Sequence, residues 1–513
     1  MKQNQLNSIY ENLFCKPSSS VVKISSLYRN QHSNINSKYN TNQTGMHTVS
    51  QNKAVGTNTA NLSPVLNPTN WLKHLLFISI MALSAISAYA QPTVLYTSLT
   101  TTTPSPSNSR FALSTVGGFK QARFQSNQTA TSGAQTWAFH QGTTGSTDYS
   151  SNWRPYTAGN TLSVNTYIPV GFANGARFNG GGGSDGQLPA ITSGNYYTFN
   201  VSNTSSDNTM QLLETNFSPK TISSVTNSGT PASVNNTVLV TVTASAAPST
   251  GENVFVRYTT NSYTASTLVQ VYFASGATTG TAMIPCQSAA AAVSYYVYSS
   301  NKTKAQIDAD VTTYGQPAHD MSTLNLNNNS GSNYTYTQGS AAITNFTGVY
   351  NISTTGCYTT LASFITGLNA GTVTGAVTVY VDAGFSETAP AGGLNITKTG
   401  TVSNTIKFVK LNNATSQANP FITAGVGVSA ITDGIWKLTG VQYITVDGFT
   451  LRDTSTNATA TTQAEYGFGF FASSTTVGSQ NNTIQNCTIR LINPNVNTIS
   501  TCYTSNNLCT ISI

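Results

Sequence analysis

The 513-residue chain has very few charged residues. Only 7% are Asp, Glu, Lys or Arg, against about a quarter in an average globular protein. Ser, Thr, Asn and Gly take their place, and these residues suit strands and turns better than helices, whose exposed faces favour Glu, Lys and Arg. Apolar residues at helical spacing occur in one short stretch, 360–368. The composition therefore predicts an all-β protein with long loops.

A basic surface is also missing from most of the chain. The formal net charge is +7, but residues 1–90 hold seven Lys/Arg and one acidic residue, whereas residues 91–513 hold fifteen Lys/Arg and fourteen Asp/Glu. The larger part is therefore close to neutral. Because nucleic-acid binding needs a basic patch or stripe, we expect no nucleic-acid partner.

Histidine and cysteine are too sparse and too irregular for the common catalytic and metal motifs. After residue 90 the only histidines are His140 and His319, and neither lies in a recognisable motif for a Ser-His-Asp triad. The five cysteines of this part contain no Cys-x-x-Cys, which excludes zinc ribbons and thioredoxin-type chemistry. No metal-ligand spacing is present, so we expect no metal and no cofactor. Cys502 and Cys509 form a candidate disulfide, and Cys487 is interpreted as a small core residue.

An export signal lies unusually deep in the chain, at 70–90. Lys73 precedes an apolar run at 75–86, and Ala88 and Ala90 form an Ala-x-Ala cleavage site, which predicts a secretory signal peptide cleaved after Ala90. The run is shorter than the roughly 20 residues that span a bilayer; an uncleaved anchor or a buried helix is the alternative. The Asn/Ser/Gln-rich extension 1–69 is predicted to be disordered, and a start codon assigned too far upstream is its simplest explanation. We expect a secreted or cell-surface protein with no membrane span after signal removal.

Two predicted β-rich blocks follow the signal. Residues 91–220 contain strand patterns such as 196–201 and Gly/Ser/Asn-rich loops, among them the glycine run 179–186, and are interpreted as a β-sandwich-like domain. Residues 221–303 carry strand patterns about every dozen residues, which predicts a second, smaller β-sandwich. Residues 304–346 are rich in Asn, Ser, Thr and Tyr and are interpreted as a linker.

The second block resembles fibronectin type III-like or immunoglobulin-like modules of secreted Bacteroidetes proteins. The resemblance is carried by Val238–Thr243, Arg257–Thr260, Ile284-Pro285 and Ser294–Tyr298. It implies a module fold but no particular ligand.

An internal repeat marks the C-terminal part, 347–513. Residues 445–452, TVDGFTLR, align with 483–490, TIQNCTIR, at an offset of 38 residues. Half of this offset, 19 residues, is close to one coil of a β-solenoid, and such short units must stack to bury their apolar faces. The predicted stacked core pairs are Val446 over Ile484, Phe449 over Cys487 and Leu451 over Ile489.

This C-terminal part resembles the right-handed parallel β-helix of pectate-lyase-like proteins, especially those of large Bacteroidetes surface proteins. The stretch 376–384, AVTVYVDAG, and the coil sequence 445–451 carry the resemblance. It implies a one-helix cap at 358–368 and the outer-membrane export machinery as a partner. Because the sequence ends at Ile513 in mid-repeat, we expect an incomplete β-helix, as in a gene fragment.

The resemblance also raises the question of catalysis. Lyases on this fold use clustered acidic residues to hold calcium and an Arg or Lys as base, and hydrolases use close carboxylates. The acidic residues of the predicted β-helix are Asp382, Glu387, Asp433, Asp447, Asp453 and Glu465. No pair has the i, i+2 spacing of one strand face, although Asp433 and Asp453 lie close to one predicted 19-residue coil apart. We interpret Asp433-Gly434 and Asp447-Gly448 as turns.

Two hypotheses of function follow. The first is an exported, non-catalytic surface or adhesion protein that contacts glycans or a host matrix, with a candidate glycan-stacking site at Trp137, Trp153 and Tyr156. The alternative is a carbohydrate-active enzyme, a polysaccharide lyase or glycoside hydrolase, on the β-helix. The second rests on fold analogy alone.

Overall fold

The computed structural model of the chain is mostly β-strand. It describes residues 94–97, 110–140, 152–153, 161–172, 177–178, 186–202, 208–413, 416–428, 433–454, 459, 461–491 and 503–504. Within these ranges the strands form seven sheets, in agreement with the all-β composition. The predicted extension 1–69 and signal peptide 70–90, with Ala88 and Ala90, lie outside the described residues, as does the glycine run at 179–185. Among the described residues, no helix has the length and apolarity needed to cross a membrane.

The first two sheets are built from antiparallel strands between residues 94 and 215. Their strands are β1 (Val94–Thr97), β2 (Arg110–Ala112), β3 (Ser114–Val116), β4 (Phe119–Gln125), β5 (Thr136–His140), β6 (Asn152–Trp153), β7 (Tyr167–Phe172), β8 (Arg177–Phe178), β9 (Gly186–Gln187), β10 (Tyr196–Ser202) and β11 (Asn208–Thr215). One sheet runs β2-β1-β5-β6-β8, with β9 beside β5, and the other runs β3-β4-β10-β11-β7. A single apolar cluster joins Phe139 of one sheet to Phe199 of the other, because alternate side chains of each strand point to the same face.

Two further antiparallel sheets follow. Their strands are β12 (Ile222–Asn227), β13 (Val238–Ala244), β14 (Asn253–Thr259), β15 (Thr267–Gln270), β16 (Tyr272–Phe273), β17 (Thr279–Ile284) and β18 (Ala292–Ser300). The first sheet runs β12-β13-β17-β16, and β14, β15 and β18 lie in the second. The strict alternation of β13 buries Val238, Val240 and Val242 against Val256 and Val297 of the facing sheet.

The predicted linker 304–346 is instead an ordered segment. It forms α1 (Lys304–Tyr314), α2 (Pro317–Met321), β19 (Asn325–Asn327), a single 3₁₀ turn (Asn329–Gly331) and β20 (Tyr334–Thr337), and both strands pair with β18. Thr303 caps α1 in a reciprocal arrangement with Gln306, and Pro317 occupies the first turn of α2. The polar composition was misleading because Asn side chains here bind backbone groups: Asn325 and Asn327 donate to the carbonyls of Lys220 and Ile222.

Parallel strands take over from residue 345. They are β21 (Asn345–Ile352), β22 (Thr372–Asp382), β23 (Ser386–Thr388), β24 (Leu394–Ile396), β25 (Ile406–Leu411), β26 (Phe421–Thr423), β27 (Gly434–Thr439), β28 (Ile444–Asp447), β29 (Thr450–Arg452), β30 (Tyr466–Phe471), β31 (Thr483–Gln485), β32 (Thr488–Arg490) and β33 (Tyr503–Thr504). They form three sheets, ordered β21-β22-β25-β28-β31, β23-β26-β29-β32 and β24-β27-β30-β33. Each strand therefore pairs with the strand three places later, and α3 (Leu361–Ala370) precedes β22.

One circuit through the three sheets is twice as long as the repeat suggested. Thr445 pairs directly with Thr483, and Asp447 with Gln485, 38 residues apart. The expectation of a 19-residue coil is therefore wrong, because a third strand, β30, lies between the two copies and pairs in a different sheet. The shared core includes an edge-to-face series of Phe364, Phe408, Trp436 and Phe449, a geometry that aromatic rings favour.

Candidate functional site

The structure removes one member of the predicted glycan-stacking site. Trp137 is 1% exposed and packs edge-on against Phe139 inside the first apolar core. A buried indole cannot stack on a sugar, so its assignment to a stacking site is wrong. Trp153 has its backbone in β6, between β5 and β8, but its side chain lies outside the described residues, as does Tyr156.

A more suitable site lies where the second pair of antiparallel sheets meets the first parallel strands. Adjacent parallel strands β21, β22 and β25 all end at this place, and the register sets Asn351 beside Tyr380 and Asp382 beside Leu411. Polar residues at or just after the strand ends therefore gather at one edge. We call the space between this edge and the antiparallel sheets the junction cleft.

The junction cleft is a cavity of about 230 Å³ with a mixed lining. Its polar lining comes from Thr267, Gln270, Thr281, Asn351, Ser353, Thr355, Asp382, Asn412 and Asn413, and its apolar lining from Tyr258, Val269, Ala282, Met283, Pro285 and Leu411. Apolar walls with a few convergent polar groups are the usual character of small-molecule sites.

The carboxylate of Asp382 is held in place by a carboxamide. Asn351, only 5% exposed, donates through Nδ2 to Asp382 Oδ1 at 2.9 Å and to the carbonyl of Tyr380 at 3.2 Å. Burial raises the pKa of Asp382, and the hydrogen bond from Asn351 opposes that rise. Asn412 Oδ1 is buried and has no hydrogen-bond partner. Because buried acceptors are normally satisfied, this atom is suited to receive a donor from a ligand.

A disulfide ties the two walls of the junction cleft together. Cys286, next to the lining residue Pro285, is bonded to Cys357, two residues beyond the lining residue Thr355. The sequence did not indicate this pairing, since the two cysteines are 71 residues apart. The predicted partners Cys502 and Cys509 lie outside the described residues, and Cys487 is a free, half-buried thiol.

The predicted stacked pairs of the repeat lie in register. Val446 pairs with Ile484 and Leu451 with Ile489, and the amide of Phe449 donates to Cys487 Sγ at 3.4 Å. Val446, Phe449, Leu451 and Ile484 are buried, and Cys487 and Ile489 are partly buried against the same cluster. These residues build the core of the stacked strands.

The acidic residues of the parallel region have separate surroundings. Glu387 accepts from the amides of Leu361 and Ala362 at 2.6 and 3.0 Å and so caps α3. Asp447 accepts from the side chains of Gln485 and Asn486 in the next coil, at 2.9 and 2.8 Å. Both contacts are structural.

A buried carboxylate pair forms at Asp433 and Glu465. The amide of Asp433 donates to Glu465 Oε2 at 3.0 Å, the amide of Glu465 donates to the carbonyl of Asp433, and the two residues are 1% and 2% exposed. Burial, with a smaller contribution from the charge of Asp433, raises the pKa of Glu465 to about 7. The expected partner of Asp433 across the coils, Asp453, is not its neighbour in the register; the amide of Asp453 donates to the carbonyl of Arg490 instead.

The turn interpretation holds for one of the two Asp-Gly pairs. Gly448 has φ +82°, whereas Gly434 opens β27 against the ring of Tyr466 and has no positive φ. A side chain at Gly434 would meet that ring, so close packing rather than turn geometry requires glycine there.

The histidines and the acidic side chains do not assemble a catalytic or metal centre in the part of the chain that the structure describes. His140 lies in β5. His319 is 2% exposed and bonds through Nδ1 to the hydroxyl of Tyr298 at 3.0 Å, and burial lowers its pKa to about 3. No group of three or more His, Cys, Asp or Glu occurs among the described residues with metal-binding geometry.

Comparisons with known proteins add no assignment. No family model matches the chain, and neither the curated proteins nor the solved structures contain a significant match to it.

Proposed function

We propose that the protein is an exported, non-catalytic surface protein that binds glycans in the junction cleft. The observation that carries the proposal is the cleft itself. Its carboxamides, hydroxyls and carboxylate can bond sugar hydroxyls, while Tyr258, Met283 and Leu411 can contact the apolar C–H faces of a sugar ring. The unpartnered Asn412 Oδ1 supplies an acceptor that only a bound group would satisfy.

The proposed architecture consists of two β-sandwich modules, the second resembling a fibronectin type III or immunoglobulin-like domain, followed by a right-handed parallel β-helix. Sheets that share one core in pairs, and strands that pair three places along the chain, support it. Side-chain amides tie the parts together: Asn200 Nδ2 donates to the carbonyls of Met321 and Thr323, and Asn236 Nδ2 to those of Thr347 and Val349. Such contacts suit a stiff spacer that presents the cleft away from the cell.

Glycan binding can be tested directly with the purified protein. We expect binding to at least one oligosaccharide on a glycan array, confirmed by calorimetry, and a loss of about tenfold in affinity for Asn412→Ala, the size of one lost hydrogen bond to a buried group. Gln417→Ala removes a carboxamide from an exposed residue that does not line the cleft and is the matched control. Absence of binding to every glycan, or equal losses in both variants, would overturn the proposal.

Export has its own test. N-terminal sequencing of the protein recovered from the producing bacterium should begin at Gln91, as cleavage after Ala90 predicts, and surface biotinylation of intact cells should label it. A mature chain that retains residues 70–90, or that is protected from the reagent, would contradict secretion to the surface.

A second candidate function, carbohydrate-active enzyme, is favoured by the Asp433–Glu465 pair alone. A carboxyl whose pKa is raised to about 7 can act as a general acid near neutral pH. Both residues are almost fully buried, which places this candidate second. Incubation with pectic and other polysaccharides should produce neither unsaturated products nor new reducing ends; product formation that Glu465→Gln abolishes would reverse the order of the two candidates.

A further inference from the structure

The charge of the junction cleft has one sign. Asp382 is the only charged residue among those that line it, and the described lining contains no Lys or Arg. The nearest basic residue along β25, Lys410, directs its ammonium group to the carbonyl of Gln417 and to Asn419 Oδ1 at 3.2 and 3.0 Å. An anionic ligand would therefore meet a negative carboxylate with no compensating cation.

The position of Asp382 makes this charge effective. The residue is half-buried at the end of β22, and Asn351 fixes one carboxylate oxygen. A charge held at the wall of a partly buried cavity interacts more strongly than an exposed one, because less water screens it. A side chain that is already hydrogen-bonded to a buried neighbour also has little freedom to turn away from a ligand.

The hydrogen-bonding capacity of the lining points the same way. Asp382 and Asn412 Oδ1 are acceptors, whereas the side-chain donor of Asn351 is already engaged with Asp382 and Tyr380. Gln270 Nε2 is also engaged, with Asn253 Oδ1 at 2.9 Å. Ligand groups that donate, such as hydroxyls and amide N–H groups, satisfy these acceptors, and ligand carboxylates or sulfates do not.

Resting on the proposed glycan-binding function, we propose that the junction cleft selects uncharged saccharides, and that Asp382 is the specificity-determining residue that excludes uronic-acid and other anionic sugars. Rejection through a fixed like charge is a common way to build specificity, because it penalises the wrong ligand without needing a stronger contact to the right one.

The test compares matched saccharides on the purified protein. Neutral galacto-oligosaccharides and galacturono-oligosaccharides of equal length differ at each residue by a carboxylate in place of a hydroxymethyl group. We expect the neutral series to bind at least about tenfold more tightly, a difference of about 1.4 kcal/mol that one partly screened charge pair can supply. Added salt should narrow the gap.

The Asp382→Asn variant isolates the charge. Its side chain still offers an oxygen to Asn351, so we expect neutral binding to stay within about threefold and the discrimination ratio to fall about tenfold. Asp308→Asn, on the exposed face of α1, is the control and should leave the ratio unchanged. Circular dichroism and thermal melting of each variant establish that it is folded.

The outcomes separate the two proposals. Galacturonan binding equal to or tighter than galactan binding overturns the selectivity of the cleft, and a ratio that Asp382→Asn leaves unchanged overturns the role of Asp382; in both cases glycan binding itself stands. If neither series nor any array glycan binds, the proposed function fails and this inference fails with it.

Discussion

The antiparallel strands at 110–300 and the parallel strands at 345–491 use the same residue types in opposite ways. In the antiparallel region, partners lie at irregular separations, as in the pairing of Val256 with Val297 and of Phe199 with Ala122. In the parallel region, partners recur at fixed separations, such as 29 residues from Asn351 to Tyr380 and 38 from Asp447 to Gln485. Regular stacking makes the contact map readable from sequence repeats, whereas antiparallel pairing hides it.

The difference also extends to stability. A stacked array gains most of its stability from contacts between neighbouring coils, while each antiparallel pair of sheets closes around its own core. We therefore expect damage in the parallel region to remain local, and damage in an antiparallel core to unfold that unit as a whole. The predictions below test this contrast, from the largest expected effect to the smallest.

Removal of a buried tryptophan should have the largest effect. Trp436 is 0% exposed and contacts Phe408, Phe449 and Phe468. Trp436→Ala should cost about 3–5 kcal/mol, as large-to-small core substitutions do. Hydrogen exchange measured by mass spectrometry should accelerate in 394–471 and remain slow in 222–300. Trp137→Ala is the matched variant in the antiparallel region and should accelerate exchange in both of its own sheets; uniform acceleration in both variants would refute the contrast.

Loss of the disulfide should rank second. The double substitution Cys286→Ser and Cys357→Ser opens a cross-link that spans 71 residues and joins the two regions, and should lower the free energy of unfolding by about 2–4 kcal/mol. Denaturant unfolding of the oxidised protein is the measurement. Cys487→Ser removes a free thiol and should cost clearly less; equal costs would mean that the cross-link contributes nothing.

The Asp433–Glu465 pair should make the parallel region sensitive to pH. The pKa of Glu465 is raised from its ordinary 4.5 to about 7, so the folded chain binds this proton more tightly than the unfolded chain. That stabilisation is complete below pH 4.5 and is lost as the pH rises through 7. Glu465→Gln should therefore be more stable than the parent at pH 8 by about 1–3 kcal/mol, with little advantage at pH 4.5.

Urea unfolding at pH 4.5, 6 and 8 measures this difference. Asp308→Asn, an exposed carboxylate on α1, should show no comparable dependence. A Glu465→Gln variant that loses the same stability between pH 4.5 and 8 as the parent would show that another group is responsible.

The smallest effect concerns a turn between stacked strands. Gly448 has φ +82°, and Asn486 holds the corresponding place in the next coil at φ +54°. Gly448→Ala should cost about 1 kcal/mol and Gly448→Asn about half as much, because Asn tolerates the left-handed region better than Ala. Thermal unfolding of both variants orders them; an Asn variant less stable than the Ala variant would contradict the turn assignment.

The sequence predicted strand positions well where neighbouring contacts set them. Phe421–Thr423, Leu394–Ile396 and Tyr466–Phe471 have the expected bounds, and α3 begins at Leu361 as its apolar spacing predicts. Segment 304–346 was missed, although the Thr303-x-x-Gln306 capping box was a readable signal for α1. The candidate site was missed because its walls come from strands more than a hundred residues apart, as Tyr258 and Asp382 show.

The sequence alone therefore determined the secondary structure and the stacking partners, because a low charge content, β-branched alternation and a 38-residue repeat act over neighbouring residues and coils. Only the tertiary structure decided the length of a coil, the partner of Cys286, the pairing of Asp433 with Glu465 and the burial of Trp137. Each of these depends on which distant segments meet, and no local preference of a residue specifies that choice.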